Sequence, residues 1–387
     1  TFFLAFFFSN EVFGNEPIIL GLDADISAVA KSGGLAIQRG AVIAINEINE
    51  NGGVIGRKLQ LKVADHRGNP ARGKFNIKQF SKLPNLAAII GGVHTPVVLQ
   101  ELEIIHQIKI PFLIPWAAGT PIVDNGYSPN FVFRVSVRDA EAAKVLVAGA
   151  KKAGHKKVGL LLEQTGWGRS NEKSMLKAII DNDLTNTHVA WFNWRQRSMH
   201  KEIQALRDSG ATAILLVANA PEGATIIREL AEDPLLQPLE VFSHWGIASG
   251  SFVKQVSKET LSKVKLSVLQ TYSFLDPHDQ KKNSSVLNAY RNLFDKNANA
   301  VNIEGAVGVA HAYDLVHILA KAIEQANSTN PIIIREQLEN IEYYQGLVKD
   351  FKPPFEAHRH DSLFASDYFL ANYDENGYLV PMDHAKE

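Results

Sequence analysis

The chain has 387 residues, 45% hydrophobic and 21% charged, which suits a folded protein of two to three domains and excludes global disorder. Its 40 basic and 41 acidic residues leave a net charge of −1, without the basic excess that nucleic-acid binding requires. Cysteine is absent, so disulfide frameworks, thiolate metal sites and cysteine nucleophiles are excluded.

Residues 2–8 form an apolar run rich in phenylalanine, and seven residues are too few to span a bilayer, which takes about 20. They fit the tail of a signal-peptide apolar region ending in Val12-Phe13-Gly14, so residues 1–14 are expected to be a remnant of an export signal, with the mature chain outside the cytoplasm. No later segment reads as a transmembrane helix. Short β-branched runs then alternate with helix-period segments. Strands are expected at 18–22, 59–63, 87–90 and 111–114, with helices at 36–49, 71–83 and 97–107. The order restarts with a helix at 140–151, strands at 158–162, 188–192, 213–217 and 239–243, and helices at 171–180, 199–208 and 222–231. A strand at 265–269 and helices at 285–294, 305–326 and 332–341 follow. Alternation of this kind implies right-handed βαβ units and parallel sheets, and its repetition implies two similar lobes.

In open α/β sheets, ligands bind beyond the carboxyl ends of the strands. In the first half those ends are the loop 23–34, then Gly91-Gly92-Val93-His94-Thr95-Pro96, then Trp116-Ala117-Ala118-Gly119-Thr120. In the second half they are Glu163 to Gly168, Ala218-Asn219-Ala220-Pro221-Glu222 and His244-Trp245-Gly246. Three of the five tryptophans (Trp116, Trp167, Trp245) fall on these ends, as do His94 and His244. Thr95 reads as a helix N-cap with Pro96 in the first turn, and such N-termini suit an anion. Aromatic faces opposite would sandwich a flat body.

Catalytic patterns are missing: there is no HExxH, no GxxxxGK[ST] and no GxSxG. No catalytic residue, metal site or cofactor is expected. Gly305-Ala306-Val307-Gly308 reads as close helix packing, His311 and His317 as ordinary helix-face residues, and His358, His360 and Asp361 as part of a polar loop, with a metal site the alternative. Glu163 and Glu222 could form an acid/base pair across a cleft, though nothing in the sequence sets their separation.

The segment from Ala36-Ile37-Gln38-Arg39-Gly40-Ala41 to Glu47-Ile48-Asn49, followed by Asn51-Gly52-Gly53-Val54-Ile55-Gly56-Arg57-Lys58-Leu59, resembles the opening of type I periplasmic binding proteins. More narrowly, it resembles the substrate-binding components of branched-chain amino acid and amide ABC transporters. Gly91-Gly92 with His94-Thr95-Pro96, the run Pro115-Trp116-Ala117-Ala118-Gly119-Thr120-Pro121 and Ala312-Tyr313-Asp314 fit the same pattern.

The resemblance implies an α/β fold of two doubly wound parallel-sheet lobes joined by a hinge, with ligand trapped in the cleft between them. It places the first lobe at 17–135 plus 272–345 and the second at 136–271 plus 346–387, with crossings near Ser136, Tyr272 and Gly346. It implies a ligand carboxylate held at Thr95, Ala117 and Gly119, with Thr120 adjacent, and Trp167 as the closing aromatic where tyrosine is usual. Asn219 and Trp245 are the remaining second-lobe contacts, and His94, Trp116, Glu222 and His244 complete the candidate set. Trp245 stands where amino-acid-binding members carry an acid, which points to an aromatic or otherwise flat carboxylate or amide. The stretch 349–365 has no evident counterpart. The expected role is a monomeric solute-binding protein delivering its ligand to a membrane permease. A sensor of the same fold and an enzyme using the cleft carboxylates are the alternatives.

Overall fold

The computed structural model describes residues 16–249 and 251–382; the expected export signal at 1–14 lies outside them. The first sheet contains β1 (Ile18–Ala24), β2 (Leu59–Asp65), β3 (Leu86–Ile90), β4 (Phe112–Ile114) and β5 (Val132–Arg134), all parallel in the order β2-β1-β3-β4-β5. The central strands are continuous apolar runs because helices cover both faces, and β1 and β3 are buried along their whole length. Edge strand β2 is the partly exposed exception.

The second sheet is built around β6 (Lys157–Glu163), β7 (Thr185–Phe192), β8 (Ala213–Val217), β9 (Glu240–Ser243) and β10 (Leu266–Gln270). Two strands, β11 (Tyr344–Gln345) and β12 (Asp350–Phe351), form a separate hairpin. Antiparallel β13 (Phe369–Tyr373) and β14 (Leu379–Pro381) then extend the second sheet, giving the order β14-β13-β10-β9-β8-β6-β7. Each sheet with its helices forms one lobe.

The chain passes between the lobes three times. It leaves β5 for the helix Asp139–Lys152, which packs on the second sheet. It returns after β10 to the helix Ala306–Ala326, which lies along the helix Lys31–Glu50 of the first lobe. It leaves again after the helix Pro331–Glu339 and ends in β13 and β14.

Several expectations need correction. The helix expected at 36–49 spans Lys31–Glu50, so Ser32-Gly33-Gly34 is its first turn and not a loop. The preceding turn is closed by the Asp25 carboxylate, which accepts from Ala28 N–H (2.7 Å) and Ala30 N–H (3.0 Å). Likewise Gly166-Trp167-Gly168 opens the helix Gly166–Asp181, capped by the Thr165 hydroxyl. Five strands, β5, β11, β12, β13 and β14, have no counterpart in the expected pattern; all but β13 span only two or three residues. The helix Ala306–Ala326 is long and apolar enough to cross a membrane by composition, contrary to expectation. It is nevertheless a core helix, with 83% of its apolar window buried in the fold. Gly308 on it fits the close-packing reading: a Cβ there would lie 2.8 Å from the Trp116 ring.

Candidate functional site

Both lobes reverse their winding, β1 to β3 in the first and β6 to β8 in the second, and a crevice opens at each reversal. The two crevices face each other. Val93, His94, Thr95 and Pro96 follow β3, and Trp116 and Ala118 follow β4. From the second lobe come Glu163 and Trp167 after β6, Trp194 after β7, Asn219 after β8 and Trp245 and Gly246 after β9. These residues enclose a cleft whose free volume is only about 10 Å³, room for about one water.

The lobes touch through aromatic rings. Trp116 and Trp245 lie 5.2 Å apart between ring centroids, and His94 and Trp194 lie 5.5 Å apart. The Thr120 N–H also donates to the Ser170 hydroxyl across the lobes at 3.1 Å.

The first wall is pinned from within its own lobe. His94, and not Thr95, is the N-cap residue of the helix Thr95–Ile108, so the Thr95 hydroxyl is released from capping. It accepts instead from Gly119 N–H at 3.1 Å. His94 Nε2 lies 3.0 Å from the Asp25 carboxylate, which burial would raise but which His94 and the Ala30 and Ala28 amides hold down at about 2. Behind the wall, the fully buried Arg134 donates to the carbonyls of Gly119 (2.8 Å) and Ala117 (3.3 Å). Its partner is Asp361 at 2.5 Å. The stretch 349–365 thus has a structural role, in that its 360–362 portion runs beside β5 and delivers the counter-charge.

The second wall is aromatic and carries one acid. Glu163 is fully buried and accepts from the Thr165 hydroxyl (2.6 Å), Trp194 Nε1 (2.9 Å) and Asn219 Nδ2 (2.9 Å). Burial, reinforced by the charge of Glu222, outweighs these donors and pushes its carboxyl up to about 7. Glu222 accepts from Arg195 N–H at 2.8 Å. The Trp167 indole N–H donates to Asp139 at 3.1 Å, and His244 Nε2 approaches the same oxygen at 3.1 Å. His244 Nδ1 accepts from Trp245 N–H, which leaves Nε2 as the ring nitrogen beside Asp139. Gly246 makes room for Trp167: a Cβ there would stand 2.3 Å from the indole.

The structure therefore brings His94, Thr95, Trp116, Trp167, Asn219 and Trp245 onto the cleft wall. Ala117, Gly119, Thr120, Glu222 and His244 stand behind it, because their polar atoms or loops are taken up holding the wall. Sequence reasoning missed Trp194 altogether. The signal that could have found it is a fourth tryptophan just beyond the carboxyl end of the edge strand β7.

His311 is also not an ordinary helix-face residue. It is fully buried, donating from Nδ1 to the Pro115 carbonyl and accepting from the Thr271 hydroxyl, both at 2.9 Å. It thereby ties the end of β4 to the second interlobe passage. Among the described residues no three His, Asp or Glu side chains form a metal-sized group. His360 and Asp361 bond instead to the Val132 carbonyl and Arg134.

A two-lobed α/β structure with its crevices apposed defines a binding protein that holds a ligand between lobes. The sequence profile of the periplasmic binding protein family matches residues 17–378, and the chain belongs to that family. It is 24% identical over 314 residues to the Leu/Ile/Val-binding protein homolog 3 of Brucella melitensis, covering 81% of this chain and 80% of that one. Its fold matches a type 1 periplasmic binding protein from Bordetella pertussis with a TM-score of 0.85 at 21% identity, covering 95% of this chain and all of that one. It also matches an ABC transporter solute-binding protein from R. palustris solved in complex with 4-hydroxybenzoate (TM-score 0.79, 17% identity, 94% and 95% covered).

Proposed function

We propose that this protein captures a small flat carboxylate or amide between its lobes and passes it to the membrane permease of an ABC importer. The observation that carries the reading is the convergence of four indoles on one cleft, with Trp116 on one lobe facing Trp245 on the other. Insertion of a ring between this pair needs a separation of about 7 Å, two van der Waals gaps, which a small opening of the lobes supplies. The Thr95 hydroxyl and the Gly119 amide, paired with each other in this state, are donors for the ligand's carboxylate. Trp167, Asn219 and Trp245 then close over it, and contacts to both lobes favour the closed form.

The lobes are taken as 17–135 with 272–345 and 136–271 with 346–387; the separation of β1–β5 from β6–β10 supports the division, although residues 360–362 pack beside β5 of the first lobe. The family's periplasmic setting is extended to this chain on the strength of membership. The protein is read as a monomer in solution.

One observation favours a second reading. Glu163 puts an acid on the cleft wall that could meet the ammonium of an amino acid, as the name of the Brucella relative suggests. Against it, both Glu163 oxygens already hold donors. Thermal unfolding with 4-hydroxybenzoate or with leucine separates the two. A ligand at 100 times its Kd stabilises by about 2.7 kcal/mol. Stabilisation by 4-hydroxybenzoate alone supports the flat-acid reading; stabilisation by leucine alone overturns it.

A further inference from the structure

A second cavity, roomier than the cleft, lies beside it. It measures about 320 Å³ and lies on the other side of the Trp116–Trp245 pair, which lines both spaces. A volume of this order is that of a small-molecule site, typically about 300–1,000 Å³. First-lobe residues around Gly305 form one side, and Trp245 and Phe252 of the second lobe form the other. Phe252 and Tyr373 stand 5.3 Å apart between ring centroids, so the chamber has aromatic faces on the side away from the tryptophans as well. Most of its lining surface is apolar, which a ring covers favourably.

The charges at its edge are unequal. Lys254 is largely exposed and pairs with Glu304 across the lobes at 3.5 Å. Glu304 is further occupied by the Ser32 hydroxyl, which donates to its other oxygen at 2.7 Å. Lys258 is also exposed and lines the cavity. Among the described residues its ammonium makes no hydrogen bond or ion pair, and although its charge acts on the adjacent Glu259 carboxylate, its donors are open at the mouth of the aromatic chamber.

We propose that this cavity is a second ligand site, taking an amphipathic monoanion whose ring lies against Trp116 and Trp245 and whose carboxylate reaches Lys258. The site is independent of the cleft reading, since it stands on different residues apart from the shared indole partition. Both lobes line it and it shares the Trp116–Trp245 partition with the cleft, so occupancy of the two spaces is thermodynamically coupled.

Calorimetric titration of the full chain with 4-phenylbutyrate, and with neutral 4-phenylbutanol, tests this. Leu379→Trp, from a half-buried edge strand, fills the cavity and should weaken phenylbutyrate by about tenfold or more. Lys258→Gln should weaken the acid by about threefold and leave the alcohol unchanged. Trp167→Ala, on the far side of the partition, should leave phenylbutyrate within about twofold. Should Leu379→Trp fail to fold, the acid-to-alcohol contrast in Lys258→Gln decides alone. The proposal is overturned by loss of binding in Trp167→Ala only, which would put the probe in the cleft, by indifference to Lys258→Gln, or by no binding at millimolar probe.

Discussion

The two walls of the cleft are held in different ways. Apart from the single indole of Trp116, the first wall is backbone and small polar groups, fixed by hydrogen bonds that begin and end inside its own lobe: Thr95 to Gly119, Arg134 to the Ala117 and Gly119 carbonyls, His94 to Asp25. The second wall is three indoles gathered around two buried acids, with Trp194 on Glu163 and Trp167 on Asp139. A wall of directed hydrogen bonds is set before the ligand arrives, whereas a wall of large rings can shift by small rotations and still bury apolar surface. The difference assigns orientation of a ligand to the first lobe and enclosure to the second.

The largest expected effect breaks the first wall. Asp361→Ala strands the fully buried Arg134 guanidinium, and loss of one member of a buried pair costs about 3–5 kcal/mol. Equilibrium urea unfolding should show that drop at an unchanged m-value, and ligand binding should weaken because the Ala117–Gly119 loop loses its anchor.

The next prediction probes the second wall through pH. The Glu163 carboxyl sits at about 7 in the fold against an ordinary value of 4.5, so the folded protein holds its proton more tightly than the unfolded chain. Between those limits the native state carries more protons, so stability falls as pH rises from about 4.5 to 7. The full shift corresponds to at most about 3 kcal/mol. Glu163→Gln keeps the acceptor for Trp194 and Asn219 and can donate to Thr165, so it should remove this share of the slope. A slope would remain from Asp23, likewise pushed up by burial to about 7. An unchanged profile in Glu163→Gln would show that the second wall is not titrating.

The smallest effect returns to the first wall. Thr95→Val keeps the shape and removes the acceptor for the buried Gly119 amide, at a cost of about 1–2 kcal/mol by urea unfolding. Loss of carboxylate affinity beyond that expected from stability would sharpen the division of labour between the walls.

Much of this was legible in the chain. The strand–helix alternation marks two parallel-sheet lobes, and the carboxyl ends of β3, β4, β6, β8 and β9 carry the cleft residues His94, Thr95, Trp116, Trp167, Asn219 and Trp245. Trp194 escaped because an edge strand gives a weaker apolar signal, with only two of the eight residues of β7 buried. Ala117, Gly119 and His244 sit at correct strand ends, yet their role is to hold the wall. Position along a strand is local information; the partner of a hydrogen bond is not.

The sequence by itself determined the periodicities, the strand ends and hence which loops could meet, because these depend on side-chain spacing and backbone propensity alone. Only the tertiary structure decided that Thr95 bonds to Gly119 instead of capping its own helix. Only it paired Arg134 with Asp361, 227 residues away, and brought His311 to both Pro115 and Thr271. Burial is what makes such pairings obligatory, since a polar group removed from water must find a partner wherever the fold places one.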